Sequence, residues 1–226
     1  MKNYFPFTDY DFYAYLTSGV LALSVVDYSF NNASLLMRSD WSFVQIVAAV
    51  ALAYVTGHIM AMLSHPLLET FVVNKVIAKP IRLQLGLKNP NWFERFIGLL
   101  VGRYYEPMPE GTRESILSAA RESLGRAADA PIDAEEVFQQ GFRKTFSLES
   151  VRTRLDDFRN QYGFCRNIAF VALASGILIV WRVHEINLPH VDLVIIGSFA
   201  LFFGMLVRFV KFLASFQYEV VRTLLK

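Results

Sequence analysis

Apolar residues in this chain gather into four runs, at positions 13–28, 41–63, 168–183 and 191–207. Each is close to the roughly 17 to 25 residues that a helix needs to cross a bilayer. The first run carries Thr17, Ser18, Ser24 and Asp27, so a buried or interfacial helix is the competing reading there. The third run continues a charged helical pattern, and together they predict one helix over 148–181. Ser147 stands at its start as a cap, and no proline follows until Pro189. Such a rod is on the order of 50 Å long, against a hydrocarbon core of roughly 30 Å, so part of it must stand outside the lipid. In its charged half Val151, Leu155, Phe158, Tyr162 and Cys165 recur at steps of four and three, which makes a packing seam.

The stretch 64–166 reads as helical throughout. Pro66 opens an amphipathic pattern (Leu67, Leu68, Phe71, Val72, Val76, Ile77) that ends near Lys79 and Pro80. Asn91 with Glu94 forms a capping box for a helix over 92–103. Its Trp92, Phe93, Phe96, Ile97, Leu99 and Leu100, with Arg95 and Arg103, suit a helix lying on the membrane or docked against a bundle. Pro107 and Pro109 mark a break over 104–111. Thr112 is placed to cap a helix to about Ala127, and Asp133 with Glu136 to box another through Phe146. Their Ile116, Leu117, Leu124, Val137, Phe138, Phe142 and Phe146 are expected to meet the seam of the long helix. The fold class is therefore an all-α membrane protein with four transmembrane helices. A helical cytoplasmic insertion separates spans two and three, and the third span is continuous with the long cytoplasmic helix. The expected divisions are 1–63 (interfacial segment and first hairpin), 64–166 (insertion) and 167–226 (second hairpin and short cytoplasmic tail).

Composition supports this picture, since 54% hydrophobic residues in 226, with 15% aromatic, exceed the usual content of a soluble domain. The net charge of +2 is too small, and too interleaved with acids, to point to nucleic acid. Its distribution sets the expected topology. Lys75, Lys79 and Arg82 follow the second run, Arg152, Arg154, Arg159 and Arg166 precede the third, and Arg208, Lys211, Arg222 and Lys226 follow the fourth. The other connections offer only Arg38 and Arg182, so both termini and 64–166 are expected in the cytoplasm. Tyr4, Phe5, Phe7, Tyr10, Phe12, Tyr13 and Tyr15, interleaved with Asp9 and Asp11, read as an interfacial anchor and not as a secretory leader. The single Cys165 excludes an intramolecular disulfide and a cysteine-based zinc cluster, and reads as a small buried hydrophobe.

Candidate chemistry concentrates on the second run. Ala49, Ala53, Gly57 and Ala61 recur at every fourth position, a stripe that lets helix backbones approach within the chain or between subunits. Ala172 with Gly176 and Ala200 with Gly204 are weaker versions. Beside the stripe, Tyr54, His58, His65 and Glu69 fall at helical spacings if the helix continues through Pro66. Imidazoles and a carboxylate suit zinc, iron or proton transfer. However, His58 and His65 are about two turns, roughly 10 Å, apart, and another element would have to complete a site. Arg166 and Asn167, where the long helix enters lipid, read as a depth anchor for phosphate headgroups. Arg182, His184, Glu185, His190 and Asp192 form a polar hairpin. Phosphate loops, nucleophile elbows and HExxH are absent from the sequence.

In architecture alone, the arrangement resembles small membrane subunits or effectors of bacterial multi-protein systems, including defence against phage, and the resemblance assigns no residue. The expectation is a non-enzymatic inner-membrane subunit without cofactor or catalytic residue. It would oligomerise through span two, couple a cytoplasmic partner through 104–160 to the membrane, and act as an anchor, pore or effector component. The alternative is a metal-dependent membrane enzyme or proton-coupled transporter that uses His58, His65 and Glu69.

Overall fold

The computed structural model describes residues 11–77, 79–102, 106–185 and 190–226. The expected anchor residues 4–10, Arg103, Tyr104 and Pro189 lie outside the described residues, as do the side chains of Phe12, Tyr13, Lys75, Val76, Ile77 and Phe93. All regular structure among the described residues is helical. A π-helical turn Asp11–Leu16 leads into α1 (Thr17–Asn31), and α2 (Phe43–Ser64) passes into a π-helical segment His65–Ile77. There follow α3 (Pro80–Gln84), α4 (Trp92–Val101), α5 (Glu110–Ser123), α6 (Ala134–Thr145), α7 (Glu149–Arg182), α8 (Val191–Arg222) and a 3₁₀ turn Thr223–Leu225. Three helical runs are long and apolar enough to cross a membrane, Phe43–Val73, Glu149–Arg182 and Val191–Leu225. α1 is not among them.

Packing divides the chain into two units. The first takes the described residues up to Thr70 together with Gly163–Leu206, and the second takes Phe71–Tyr162 together with Val207–Lys226. In the first unit α1 and α2 form an antiparallel hairpin in which backbones touch. A Cβ on Gly19 would collide with the Ala53 carbonyl, and one on Gly57 with the Tyr15 carbonyl. Ser42 and Gln45 start α2 with a reciprocal capping box. Of the two readings of Pro66, the start of a new helix or a position inside a continuing one, the structure shows the second. Proline removes an amide donor and crowds the preceding turn, and the wider π turn from His65 onward is one way a helix accommodates it. The apolar half of α7 is the inner element, with 61% of its most apolar stretch buried, against 17% for α2 and 11% for α8.

The second unit has a core where Ile116 and Leu117 of α5 and Val137 of α6 meet Ile81, Val221 and Leu224. A second cluster brings Val151 and Leu155 of α7 against Phe216 and Val220, with Phe138, Phe142, Phe158 and Tyr162 packed alongside. Thus α6 meets the long-helix seam as expected, whereas α5 packs elsewhere and Phe146 is left 66% exposed. What sequence reading took for a short tail is the second half of α8, running through the centre of this unit. Phe209, Leu213, Phe216 and Val220 of α8 and Leu224 of the turn after it, at steps of four, three, four and four, are buried there. That stripe is present in the sequence, but Arg208 just before it and Lys211 and Arg222 between its members masked it.

Helix boundaries moved where a stronger local device acts. α5 starts at Glu110, two residues before the expected Thr112 cap, with Pro109 as its cap residue and the Pro109 carbonyl accepting from the Arg113 amide at 3.0 Å. It stops before Ala127, because Gly125 adopts φ +65° and the Arg126 amide bonds the Arg121 carbonyl, closing the end. α7 starts at Glu149, and the Ser147 hydroxyl serves the end of α6 by donating to the Lys144 carbonyl at 2.7 Å. The Asn91–Glu94 box is present, with both bonds at 2.8 Å. In α6 the Asp133 amide donates to Glu136 Oε2 at 3.1 Å.

Candidate functional site

One group of polar side chains in the first unit draws on two places in sequence. Because the helix runs through Pro66, Ser64, His65 and Glu69 follow one another down it, and α7 supplies Arg166 and Asn167. Arg166 Nη1 donates to Glu69 Oε2 at 2.7 Å, and the arginine side chain is only 12% exposed. Ser64 Oγ donates to Asn167 Oδ1 at 2.8 Å, with both residues fully buried. Arg166 Nη2 reaches the same amide oxygen at 3.5 Å. His65, more exposed, has Nε2 3.7 Å from the Glu69 oxygen that Arg166 already holds. Arg166 Nε and Asn167 Nδ2 are buried without a hydrogen-bond partner among the described residues.

This arrangement differs in detail from the sequence expectation. Arg166, read as reaching out to headgroups, turns inward to the carboxylate grouped by spacing with the histidines. The pair was not visible in sequence because its members lie 97 residues apart. A partly buried ion pair adds little net stability, so its main effect is to fix which part of α7 lies against the helix running through Pro66, and removing one partner leaves the other partly enclosed without its counter-charge. Ser64 and Asn167 add a second fixed point.

The remaining candidates occupy other surroundings. Tyr54 and His58 join Tyr15 in an aromatic group, with the His58 ring stacked on Tyr15 at 3.9 Å and edge-on to Tyr54 at 4.5 Å. His58 Nδ1 lies 3.0 Å from the Tyr54 carbonyl, a contact that requires the proton on Nδ1. His58 and the His65–Glu69 pair therefore have different partners. Among the described residues no three histidine, cysteine or carboxylate side chains gather as metal ligands. In the small-residue stripe Ala53, Gly57 and Ala61 are buried and Ala49 is partly so, with Ala53 and Gly57 directly against α1. Cys165 is buried and makes no disulfide. At the far end of α7, Arg182 donates from Nε to the Ser29 carbonyl at 3.1 Å and pairs with Glu185 at 2.8 Å.

In the second unit the ion pairs range from exposed to largely buried. Lys79 holds the Glu135 carboxyl below its ordinary range through a 2.7 Å hydrogen bond. The exposed Arg126 does the same to Glu136, with contacts at 2.6 and 2.9 Å. Glu219, largely buried, lies 3.4 Å from Arg154 and 3.8 Å from Arg222. α4 buries Ile97 and leaves Trp92, Phe96, Leu99 and Leu100 exposed along one face.

The class these features define is an all-helical protein with three helices fit by length and composition for a membrane. No protein-family model, curated protein or solved structure matches this chain.

Proposed function

We propose that the protein is a non-enzymatic integral membrane subunit that self-associates and couples a cytoplasmic helical domain, or a partner bound to it, to a transmembrane bundle. The observation that carries this reading is α7. It is one unbroken helix whose charged half belongs to a water-compatible packed unit and whose apolar half is the most enclosed of the candidate spans. A tilt or rotation imposed on one half of a continuous helix appears in the other. The large exposed apolar side chains of α2 and α8, such as Phe43, Val44, Leu193 and Phe203, ask for lipid or a second protein surface.

In this reading α1 is a fourth span, shorter and paired to α2 through its glycine. Both termini and 64–166 lie in the cytoplasm by the distribution of basic residues, and the architectural resemblance points to a bacterial inner membrane. The metal-dependent alternative is less well supported, because Arg166 already occupies the carboxylate that a metal or a proton path would need. The deciding measurement is the mass of the complex purified in mild detergent, with every co-purifying protein identified. A defined homo-oligomer or a stoichiometric soluble partner is expected, and a lone monomer would overturn the proposal.

A further inference from the structure

α1, the connection 32–42 and the first half of α2 line a groove of about 590 Å³, within the size range of small-molecule sites. Its wall is mostly apolar, with Val20, Leu23, Leu36 and Leu52 among its members. The one carboxylate along it, Asp27, is already engaged. It accepts hydrogen bonds from the backbone amides of Leu35 and Leu36, at 3.0 and 2.9 Å, and from the Asn31 side chain at 2.9 Å. At the end formed by the connection stand Arg38 and Trp41, with the guanidinium 5.9 Å from the indole ring centre. Arg38 has no ion-pair partner among the described residues. Along α1 the lining runs from Val20 to Asn31, about 16 Å at the helical rise, which is close to half of the roughly 30 Å hydrocarbon core and so to the depth of one leaflet.

We propose that this groove holds an acyl chain of one anionic phospholipid whose phosphate pairs with Arg38. An apolar trough one leaflet deep matches the chain, a cation at one end matches the phosphate, and Trp41 stands where indoles favour the headgroup level. The site would hold a particular lipid beside the α1–α2 hairpin. This inference rests on the membrane reading above.

The test uses the full chain reconstituted in vesicles of phosphatidylcholine and phosphatidylglycerol, taken up in mild detergent and weighed by native mass spectrometry. The wild type retains one phosphatidylglycerol per chain. Arg38→Gln lowers the preference for phosphatidylglycerol over phosphatidylcholine about fivefold, the effect of one basic residue near an anionic surface. Ala48→Trp, which fills the groove from an exposed position on α2, abolishes retention of either lipid without changing complex mass. Unchanged preference in Arg38→Gln, or undiminished retention in Ala48→Trp, overturns the site. If Ala48→Trp splits a lipid-free multimer, a second copy occupies the groove and the proposal fails. Alkaline extraction separates the two levels: a chain that stays in the membrane yet retains no lipid defeats this inference alone, and a chain released by the wash defeats the membrane reading as well.

Discussion

α2 and α8 are both long apolar helices with small residues at regular spacing, yet the chain uses them in opposite ways. In α2 the small residues are consumed internally, since Gly57 lies against the Tyr15 carbonyl and Ala53 against the place where Gly19 lacks a side chain. In α8, Gly197 and Gly204 have open space where a Cβ would stand. A small-residue stripe therefore marks a place where a backbone can be approached, without saying whether the approaching helix belongs to the same chain. The contrast shifts the question of self-association away from Gly57 and toward surfaces that the chain leaves uncovered.

The largest effect is expected at the closed stripe. Gly57→Leu forces a side chain into the Tyr15 backbone, which cannot yield as a flexible side chain does, so the loss should reach or exceed the upper end of the roughly 1–3 kcal/mol typical of overpacking. Thermal unfolding in detergent and protease resistance of the α1–α2 hairpin would show it, and a wild-type melting curve would contradict the packing described. Arg166→Ala comes next, because it strands Glu69 in a partly enclosed place, with an expected loss of about 1–3 kcal/mol. Adding Glu69→Gln should recover part of that loss. Strict additivity in the double-mutant cycle would mean the two groups do not interact.

A smaller, pH-dependent effect separates α2 from the unit that encloses the second half of α8. Glu135 is held below its ordinary value by the Lys79 hydrogen bond, so folding favours its charged form. That contribution is fully present above the ordinary glutamate pKa of about 4.3 and is lost as pH falls through the lower folded value. Acid titration followed by hydrogen exchange should loosen α6 in the wild type more than in Lys79→Met. The glycine contacts of α2 contain no titrating group. The smallest effect is at the open stripe, where Gly204→Leu should change stability by no more than about 0.5 kcal/mol. If that face is the seam between subunits, its complex mass falls while the melting curve holds. An unchanged mass would remove α8 from the association proposed above.

How much of this was legible in sequence depended on range. The Asn91–Glu94 box and the α7 seam were readable because their partners lie within a turn or repeat at helical steps. The passage through Pro66 was only one of two open readings, since propensity favours a break and the sequence alone does not select the π segment. The pairing of Arg166 with Glu69 was out of reach for a different reason. Each residue has a sensible local role by itself, and nothing local says which distant group completes it. The stripe in the second half of α8 is legible at helical steps, but the basic residues around and within it favour the reading of a short cytoplasmic tail.

The α1–α2 hairpin also sets an order of assembly. Its glycine contacts, the aromatic group around His58 and the Asp27 turn all draw on residues that leave the ribosome before the rest of the chain exists. The hydrogen bond from Ser64 to Asn167, by contrast, spans 103 residues and waits for α7 to be made. Since chains generally fold from the N-terminal side during synthesis, the hairpin can be a finished piece before α7 is made. Ser64 and Glu69 then serve as the receiving end onto which α7 docks when it emerges.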